Sequence, residues 1–160
     1  MTNVRSIRPM SCRIWPMLIL LAVTGGAPRA TAKDEAPTQL TSGFQIIVNP
    51  TNPVTSVERR FLLDAFLKKV TRWPHDELIR PADLDAASPV RRRFSEQVLK
   101  RSVAAVKSYW QQLVFSGRDV PPPELDSDWQ MVRYVLKYPG AIGYISPGAN
   151  LDGVKILTVR

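Results

Sequence analysis

Apolar residues recur along the chain with two different periods, and these periods predict where strands and helices lie. The apolar run over residues 44–48 is short, rich in β-branched residues and closed by an Asn-Pro pair, which is typical of a buried strand. Thr55 with Glu58 three positions later forms a capping-box pattern, and apolar residues then recur at helical spacing. The pattern therefore predicts a helix over residues 56–69.

Serines mark the starts of the other predicted helices. Ser88 followed by Pro89 is a favourable start, because proline lacks an N–H where that donor has no partner within the helix. Ser102 and Ser127 precede further apolar residues at helical spacing. The remaining segments are predicted as strands at 77–80, 141–145 and 154–159 and as loops at 82–87 and 118–125. Strands interleaved with helices predict an α/β fold with a mostly parallel or mixed sheet flanked by helices.

The first 32 residues have the three-part pattern of a secretory signal peptide. Three arginines precede an apolar run at residues 15–23, and the small residues Ala30-Thr31-Ala32 follow it. The run is about half as long as the roughly 20 apolar residues that span a membrane, which argues against an integral membrane protein. We expect cleavage after Ala32, a flexible leader at 33–43, and one exported α/β domain over 44–160, periplasmic or secreted.

The predicted cleavage changes the meaning of the charge. The 160-residue chain has 22 Lys and Arg against 14 Asp and Glu, a formal charge of +8. The predicted signal holds four of the basic residues and none of the acids, which leaves 18 bases, 14 acids and a charge of +4. We therefore expect no nucleic-acid partner, since that would need a wider basic surface.

Candidates for catalysis or metal binding are sparse. Cys12, the only cysteine, lies in the predicted signal, and His75, the only histidine, lies in a turn-like Trp-Pro-His-Asp sequence. The chain contains no His/Cys cluster for a metal and no glycine pattern for a nucleotide. We expect no metal, no cofactor and no enzymatic activity.

The segment that leads into the helix at Ser88 is the clearest candidate for a binding site. The first N–H groups of a helix and its dipole favour an anion, and the Ser88 hydroxyl lies beside them. Arg91, one turn further on, is positioned to add a charge-assisted hydrogen bond. Two alternatives stay open: Ser88 as a plain helix cap, and the Arg91 to Arg93 run as a solvated basic face.

Five segments carry an ordered set of motifs. They are FQIIVNPTNPVTS at 44–56, FLKKVTRW at 66–73, SPVRRRF at 88–94, YW at 109–110 with FSG at 115–117, and PGAIGY at 139–144. In order and spacing, over residues 44–145, they resemble phosphate ABC transporter substrate-binding proteins. The resemblance implies a type II periplasmic-binding-protein fold, export, and capture of phosphate or another small oxyanion for an ABC permease.

The resemblance also implies an incomplete ligand site. Full-length members of the family have two lobes that close on the ligand, and the matched segments look like the middle lobe alone. Ser88 stands at the start of the family's Ser-Gly-Thr turn, but Pro89 and Val90 replace Gly and Thr, and Leu84 and Ala86 stand where the family has Arg and Asp. Since Pro89 has no N–H to donate, we expect weak binding.

The leading hypothesis is an exported, single-lobe relative of phosphate-binding proteins, with a weak solute-binding or accessory role in ABC-type phosphate uptake. Its expected ligand residues are Ser88, Arg91, Thr55 and Ser56. The alternative is a periplasmic protein-protein interaction module that has lost ligand binding and contacts another envelope protein. The lost donors and Trp73, Trp110 and Trp129 motivate this alternative, although all three tryptophans are also expected in the core or at its boundary.

Overall fold

A computed structural model of the protein describes residues 43–160. The predicted signal peptide, its cleavage site and all but the last residue of the leader lie outside the described residues. Helices α1 to α4 are Arg59–Phe66, Pro89–Phe94, Val103–Phe115 and Asp128–Lys137, and a π-helical turn, Ser95–Leu99, continues α2. Strands β1 to β8 are Gln45–Val48, Ser56–Val57, Arg80–Pro81, Asp83–Leu84, Glu124–Leu125, Ala141–Ile145, Lys155–Ile156 and Thr158–Val159.

A four-stranded mixed sheet forms the centre of this domain. The strands lie in the order β3-β6-β1-β7, with β1 antiparallel to both neighbours and β3 parallel to β6. All five residues of β6 are buried, as expected for a strand covered on both faces, and α4 packs against β6 and β1. The expected α/β fold with a mixed sheet and flanking helices is confirmed.

The predicted capping box at Thr55 is wrong. Helix α1 begins at Arg59, and its N-cap residue, Glu58, makes no side-chain capping bond. The residues before it form β2, which pairs in parallel with β8 at the other end of the chain, so that Ser56 lies opposite Thr158. A long-range strand pair therefore takes the place of the first predicted helical turn.

Three other element boundaries differ from the prediction. The strand expected at 77–80 is displaced to β3, and the expected loop at 82–87 begins with β4, which pairs in parallel with β5 at the end of the proline-rich loop. The strand expected at 154–159 divides into β7 and β8, which belong to different sheets. Each of these short strands is defined by a partner that is distant in sequence, and two residues are too few to show a period.

The three serine caps are confirmed. The hydroxyl oxygens of Ser88, Ser102 and Ser127 each accept a hydrogen bond from the backbone N–H three residues later, at 3.4, 3.2 and 3.3 Å. Pro89 occupies the first turn of α2, as expected. These caps fix where α2, α3 and α4 begin and, for α2, which residues lie next to β4.

Aromatic side chains form the centre of the core between the sheet and helices α1 and α2. Phe94 stacks on Tyr144 with ring centroids 4.0 Å apart, and Phe44 and Phe66 pack edge-on or tilted against the same pair. All four side chains are almost fully buried. The tyrosine hydroxyl therefore lies within the core, where it needs a polar partner.

The tryptophans divide into two kinds. Trp73 and Trp110 are 2% and 5% exposed, as expected of core residues. Trp129 is 67% exposed on α4, so the expectation that it lies in the core or at its boundary is wrong. No helix within residues 43–160 has the length and apolar character needed to cross a bilayer.

Asn49 ties the end of β1 to the end of α4. Its amide nitrogen donates to the carbonyl oxygens of Val135 and Leu136 at 2.9 and 3.1 Å, and its side-chain oxygen accepts from the Thr51 N–H and hydroxyl. The last carbonyls of a helix have no partner within the helix. The first asparagine of the Asn-Pro-Thr-Asn-Pro motif is therefore a structural residue that satisfies them.

Replacing Asn49 with alanine is expected to lower the free energy of unfolding by about 2 to 3 kcal/mol, because it leaves buried helix carbonyls without a donor. Asn150→Ala is the matched control, since exposed Asn150 bonds only to nearby Asp152 and a surface change is expected to cost less than about 0.5 kcal/mol. Urea denaturation measures both. Equal losses in the two variants would contradict the structural role of Asn49.

Candidate functional site

Strand β4 and helix α2 bring two opposite charges together inside the protein. Arg91 Nη1 lies 2.6 Å from Asp83 Oδ1, and both side chains are 3% exposed. The same nitrogen donates to the Leu84 carbonyl at 3.2 Å. The Ser88 cap sets the start of α2, and its bond to the Arg91 N–H holds Arg91 one turn from β4. The side chain of Arg91 therefore points inward, towards β4.

Tyr144 completes this arrangement from the central sheet. Its hydroxyl donates to Asp83 Oδ1 at 2.8 Å and accepts from the Leu84 N–H at 3.2 Å. The hydroxyl that the aromatic core buries therefore has both a donor and an acceptor. We call Asp83, Arg91 and Tyr144 the buried polar cluster; it joins β4, α2 and β6.

Burial dominates the electrostatics of this cluster. It raises the pKa of Asp83 to about 6, aided by the charge of Glu124 and opposed by Arg91 and by the Tyr144 hydrogen bond. Burial and the neighbouring carboxylate also raise the pKa of Tyr144, which keeps its hydroxyl neutral and able to donate. At neutral pH Asp83 is ionised and balances the charge of Arg91.

Arg91 also lines a cavity. This cavity has a volume of about 300 Å³ and is lined as well by residues of α3, β5 and the segment before α2. Arg91 Nη2 lies 3.9 Å from Glu124 Oε1, which is beyond hydrogen-bond distance. The arginine is therefore shared between the buried polar cluster and the cavity.

The expected site residues fall into two groups. Ser88 and Arg91 lie together at the start of α2. Thr55 is exposed and its carbonyl accepts from the Thr158 N–H at 3.0 Å, while Ser56 is half-buried in β2. Within residues 43–160, no hydrogen bond or ion pair joins Thr55 or Ser56 to Ser88 or Arg91.

The basic run at 91–93 does not act as one face. Arg91 is buried, whereas Arg92 and Arg93 are exposed. Asp83, in the segment predicted as a loop, is 2% exposed and lies in β4. The apolar neighbours of Asp83 in the sequence Pro-Ala-Asp-Leu indicate its burial only weakly. Tyr144 indicates a buried polar contact more clearly, because a hydroxyl in an apolar strand needs a hydrogen-bond partner.

Other candidate chemistry lies apart from this region. His75 is exposed and lies 3.7 Å from Glu77, consistent with the expected turn residue. The described part of the chain has no group of three or more His, Cys, Asp or Glu residues arranged to hold a metal ion.

Comparison with known proteins shows the fold. No protein-family model and no curated protein matches the chain. Solved structures do match: an ABC-type phosphate transport receptor from Vibrio cholerae has 24% identity and a TM-score of 0.58, a Clostridium perfringens protein solved with bound phosphate has 23% and 0.59, and PstS from Borrelia burgdorferi has 14% and 0.57. The expected likeness to phosphate ABC transporter substrate-binding proteins is confirmed for the fold.

The match covers most of this chain and a minority of each solved protein. It covers 73%, 73% and 74% of this chain, but 46%, 44% and 47% of the three solved chains, respectively. The chain therefore spans less than half the length of the structures it matches. This is the coverage that a short, single-lobe form of the fold would give.

The free energy of unfolding is expected to fall as pH rises from about 4 to about 6, because the folded protein holds the Asp83 proton more tightly than the unfolded chain does. The contribution is about 3 kcal/mol, from a pKa difference of about two units. Measured by urea denaturation across this range, the difference in unfolding free energy between wild type and Asp83→Asn should fall by this amount.

Asp76→Asn is the control for this pH dependence, because the Asp76 side chain is 87% exposed and its ion pair with Arg72 lies at the surface. Substitution at this exposed site should change the free energy of unfolding by less than about 0.5 kcal/mol. A flat or rising difference for Asp83→Asn would show that burial does not control the ionisation of Asp83.

Proposed function

We propose that this chain is an exported oxyanion-binding domain with a solute-binding or accessory role in ABC-type phosphate uptake, and that it is not an enzyme. The observation that carries the proposal is the fold, which the chain shares with phosphate receptors over 73% of its length. Its proposed location after cleavage at Ala32 is the periplasm or the exterior. The receptors of known structure support a small oxyanion as its ligand.

The proposed anion site lies at the start of α2. Ser88 is half-buried and offers its hydroxyl there, and Arg91 is held directly behind it. Arg92 and Arg93, exposed on the following residues, add positive charge that attracts an anion from solution. Thr55 and Ser56 are proposed as further ligand contacts from the β2–β8 pair.

Two features support weak rather than tight binding. Pro89 contributes no N–H to the first turn of α2, and the charge of Arg91 is already balanced by Asp83 at 2.6 Å. A dehydrated oxyanion needs many converging donors, since a buried charge without partners is costly. The domain therefore offers fewer donors than tight phosphate binding would need.

An ABC permease or another envelope protein is the proposed partner of the domain. Weak oxyanion binding favours an accessory role in uptake over high-affinity capture by this domain alone.

Calorimetric titration of the purified protein with inorganic phosphate at low ionic strength tests the proposal. We expect weak, saturable binding that Ser88→Ala weakens about fivefold, the loss of one hydrogen bond of about 1 kcal/mol. Sulfate serves as the second oxyanion in the same experiment. The absence of heat at millimolar phosphate and sulfate would overturn the binding role.

Ser102→Ala is the matched control for this titration. Ser102 caps α3 in the same way that Ser88 caps α2, so that both variants should lose a similar free energy of unfolding, about 1 kcal/mol. Only Ser88→Ala should weaken phosphate binding. Equal weakening in both variants would assign the effect to stability and not to the site.

A second candidate function is a periplasmic protein-protein interaction module that has lost ligand binding. Trp129 favours it, since it is 67% exposed on α4 with the guanidinium of Arg133 over its ring at 5.1 Å. Leu136, two turns along the same helix, is 40% exposed. Exposed tryptophan and arginine are the residues that most often dominate binding energy at interfaces.

Pull-down from an envelope extract separates this candidate from the first. If α4 binds a partner, Trp129→Ala should remove that partner from the captured material. Phe115→Ala should not remove it, although Phe115 is 89% exposed, because Phe115 lies on α3. Recovery of no stable partner, or equal loss in both variants, would count against an interface on α4.

A further inference from the structure

Helix α4 presents aromatic rings and positive charges together at the surface. Trp129 is 67% exposed, and the guanidinium carbon of Arg133, one turn further on, lies 5.1 Å from the centre of its ring. At the end of the helix, Lys137 Nζ lies 5.1 Å from the ring centre of Tyr138. Arg80, in the edge strand β3, lies 5.2 Å from the centre of the same tyrosine ring. We call these five residues the α4 basic patch.

The three cations of this patch have no acidic partner among residues 43–160. All three are exposed, and none lies within ion-pair distance of a carboxylate there. The acids near the start of α4 have other contacts. Asp126 lies 3.4 Å from the amide nitrogen of Gln130. Asp128 accepts from the Ser146 N–H at 3.1 Å, and with Asp152 it lines a second cavity. The charge of the patch is therefore available to an acid from outside the domain.

Two of the cations are held close together. Arg80 and Lys137 each lie about 5 Å from the centre of the Tyr138 ring, so that their charges are at most about 10 Å apart. Like charges at this separation repel one another in moderate salt, because the Debye length at 0.1 M ionic strength is about 10 Å. An anionic group bound between them would relieve this repulsion.

A cavity of about 580 Å³ adjoins the patch and gives it depth. Trp129, Arg133 and Lys137 line it together with the half-buried Tyr134, and its lining contains no acidic residue. Leu136, also in the lining, is 40% exposed and adds apolar surface. Arginine and aromatic residues are enriched at protein interfaces. The surface therefore combines positive charge with room for apolar side chains.

We propose that the α4 basic patch docks an acidic, extended segment of a partner protein, whose carboxylates contact the three cations and whose apolar side chains pack against Trp129 and Leu136. A guanidinium stacked on a ring can still receive a carboxylate along its edge through two parallel hydrogen bonds. Residues 129–138 extend about 14 Å along the helix, which an extended segment of about five residues covers. The inference rests on the second candidate function, since it gives the α4 partner a chemistry.

A protein segment fits this patch better than a lipid surface or a second copy of the chain. A flat layer of lipid headgroups would leave the cavity of about 580 Å³ unfilled, whereas side chains of a peptide can enter it. A second copy in a two-fold contact would bring the same three cations against these. Charge complementarity thus selects a partner segment rich in aspartate and glutamate.

The test is calorimetric titration of the purified protein with a hexapeptide of sequence Glu-Glu-Leu-Leu-Glu-Glu, blocked at both ends, at low ionic strength. We expect saturable binding that weakens as salt is added, because exposed charges are screened. The same peptide with glutamine in place of each glutamate should bind at least about tenfold more weakly, since it lacks the charges. Sedimentation with phosphatidylglycerol vesicles tests a lipid surface in parallel.

Arg133→Ala should weaken binding of the acidic peptide about fivefold, the size expected for one exposed charge pair. Arg101→Ala is the matched control, because Arg101 is also exposed and lies 5.4 Å from the ring centre of Tyr109, away from α4. It removes the same charge and the same kind of ring contact, and it should change binding less than about twofold. Both are surface substitutions, so both variants should fold.

Three results would overturn the inference: no binding of the acidic peptide at millimolar concentration, equal binding of the glutamine peptide, or equal weakening by Arg133→Ala and Arg101→Ala. Binding to vesicles without binding to the acidic peptide would also overturn it, in favour of a lipid surface. A captured partner that depends on Trp129, without peptide binding, would overturn this inference and leave the second candidate function standing. Binding of the acidic peptide with this dependence on Arg133 supports the inference whichever result the phosphate titration gives.

Discussion

The ion pair between Asp83 and Arg91 joins parts of the chain that the sequence keeps apart. It fastens β4 to α2, and through the hydroxyl of Tyr144 it connects both to the central sheet. Burial makes the Asp83 charge costly, as its raised pKa shows, and Arg91 and the Tyr144 hydroxyl offset part of that cost. The position of β4 against α2 and the aromatic core around Tyr144 are therefore linked through this carboxyl group.

The same pair sets what Arg91 can offer a ligand. Its Nη1 is bonded to Asp83 and to the Leu84 carbonyl, and its charge is balanced at neutral pH, which disfavours a strongly charged oxyanion. Its Nε has no hydrogen-bond partner among residues 43–160. The arrangement thus supports weak rather than tight anion binding at Ser88.

Local signals in the sequence predicted the features that have local causes. The serine at each of the three helix starts accepts the expected backbone bond, and the apolar runs at 44–48 and 141–145 form the two central strands. Features set by distant partners were missed. Ser56, predicted in a helix, lies in a strand that pairs with Thr158. Asp83, predicted in a loop, lies in a strand that pairs with Glu124, 41 positions later. Arg91 was expected to face an anion, but its inward turn depends on that missed strand pair.

The account depends most on Arg91 as the residue that the fold and the ligand share. The direct measurement is a two-dimensional ¹⁵N–¹H spectrum of the labelled protein, recorded during a titration with inorganic phosphate. Phosphate should shift the Arg91 backbone N–H signal in a saturable way while leaving the indole signal of Trp129 in place. An Arg91 signal that millimolar phosphate does not move would contradict the account.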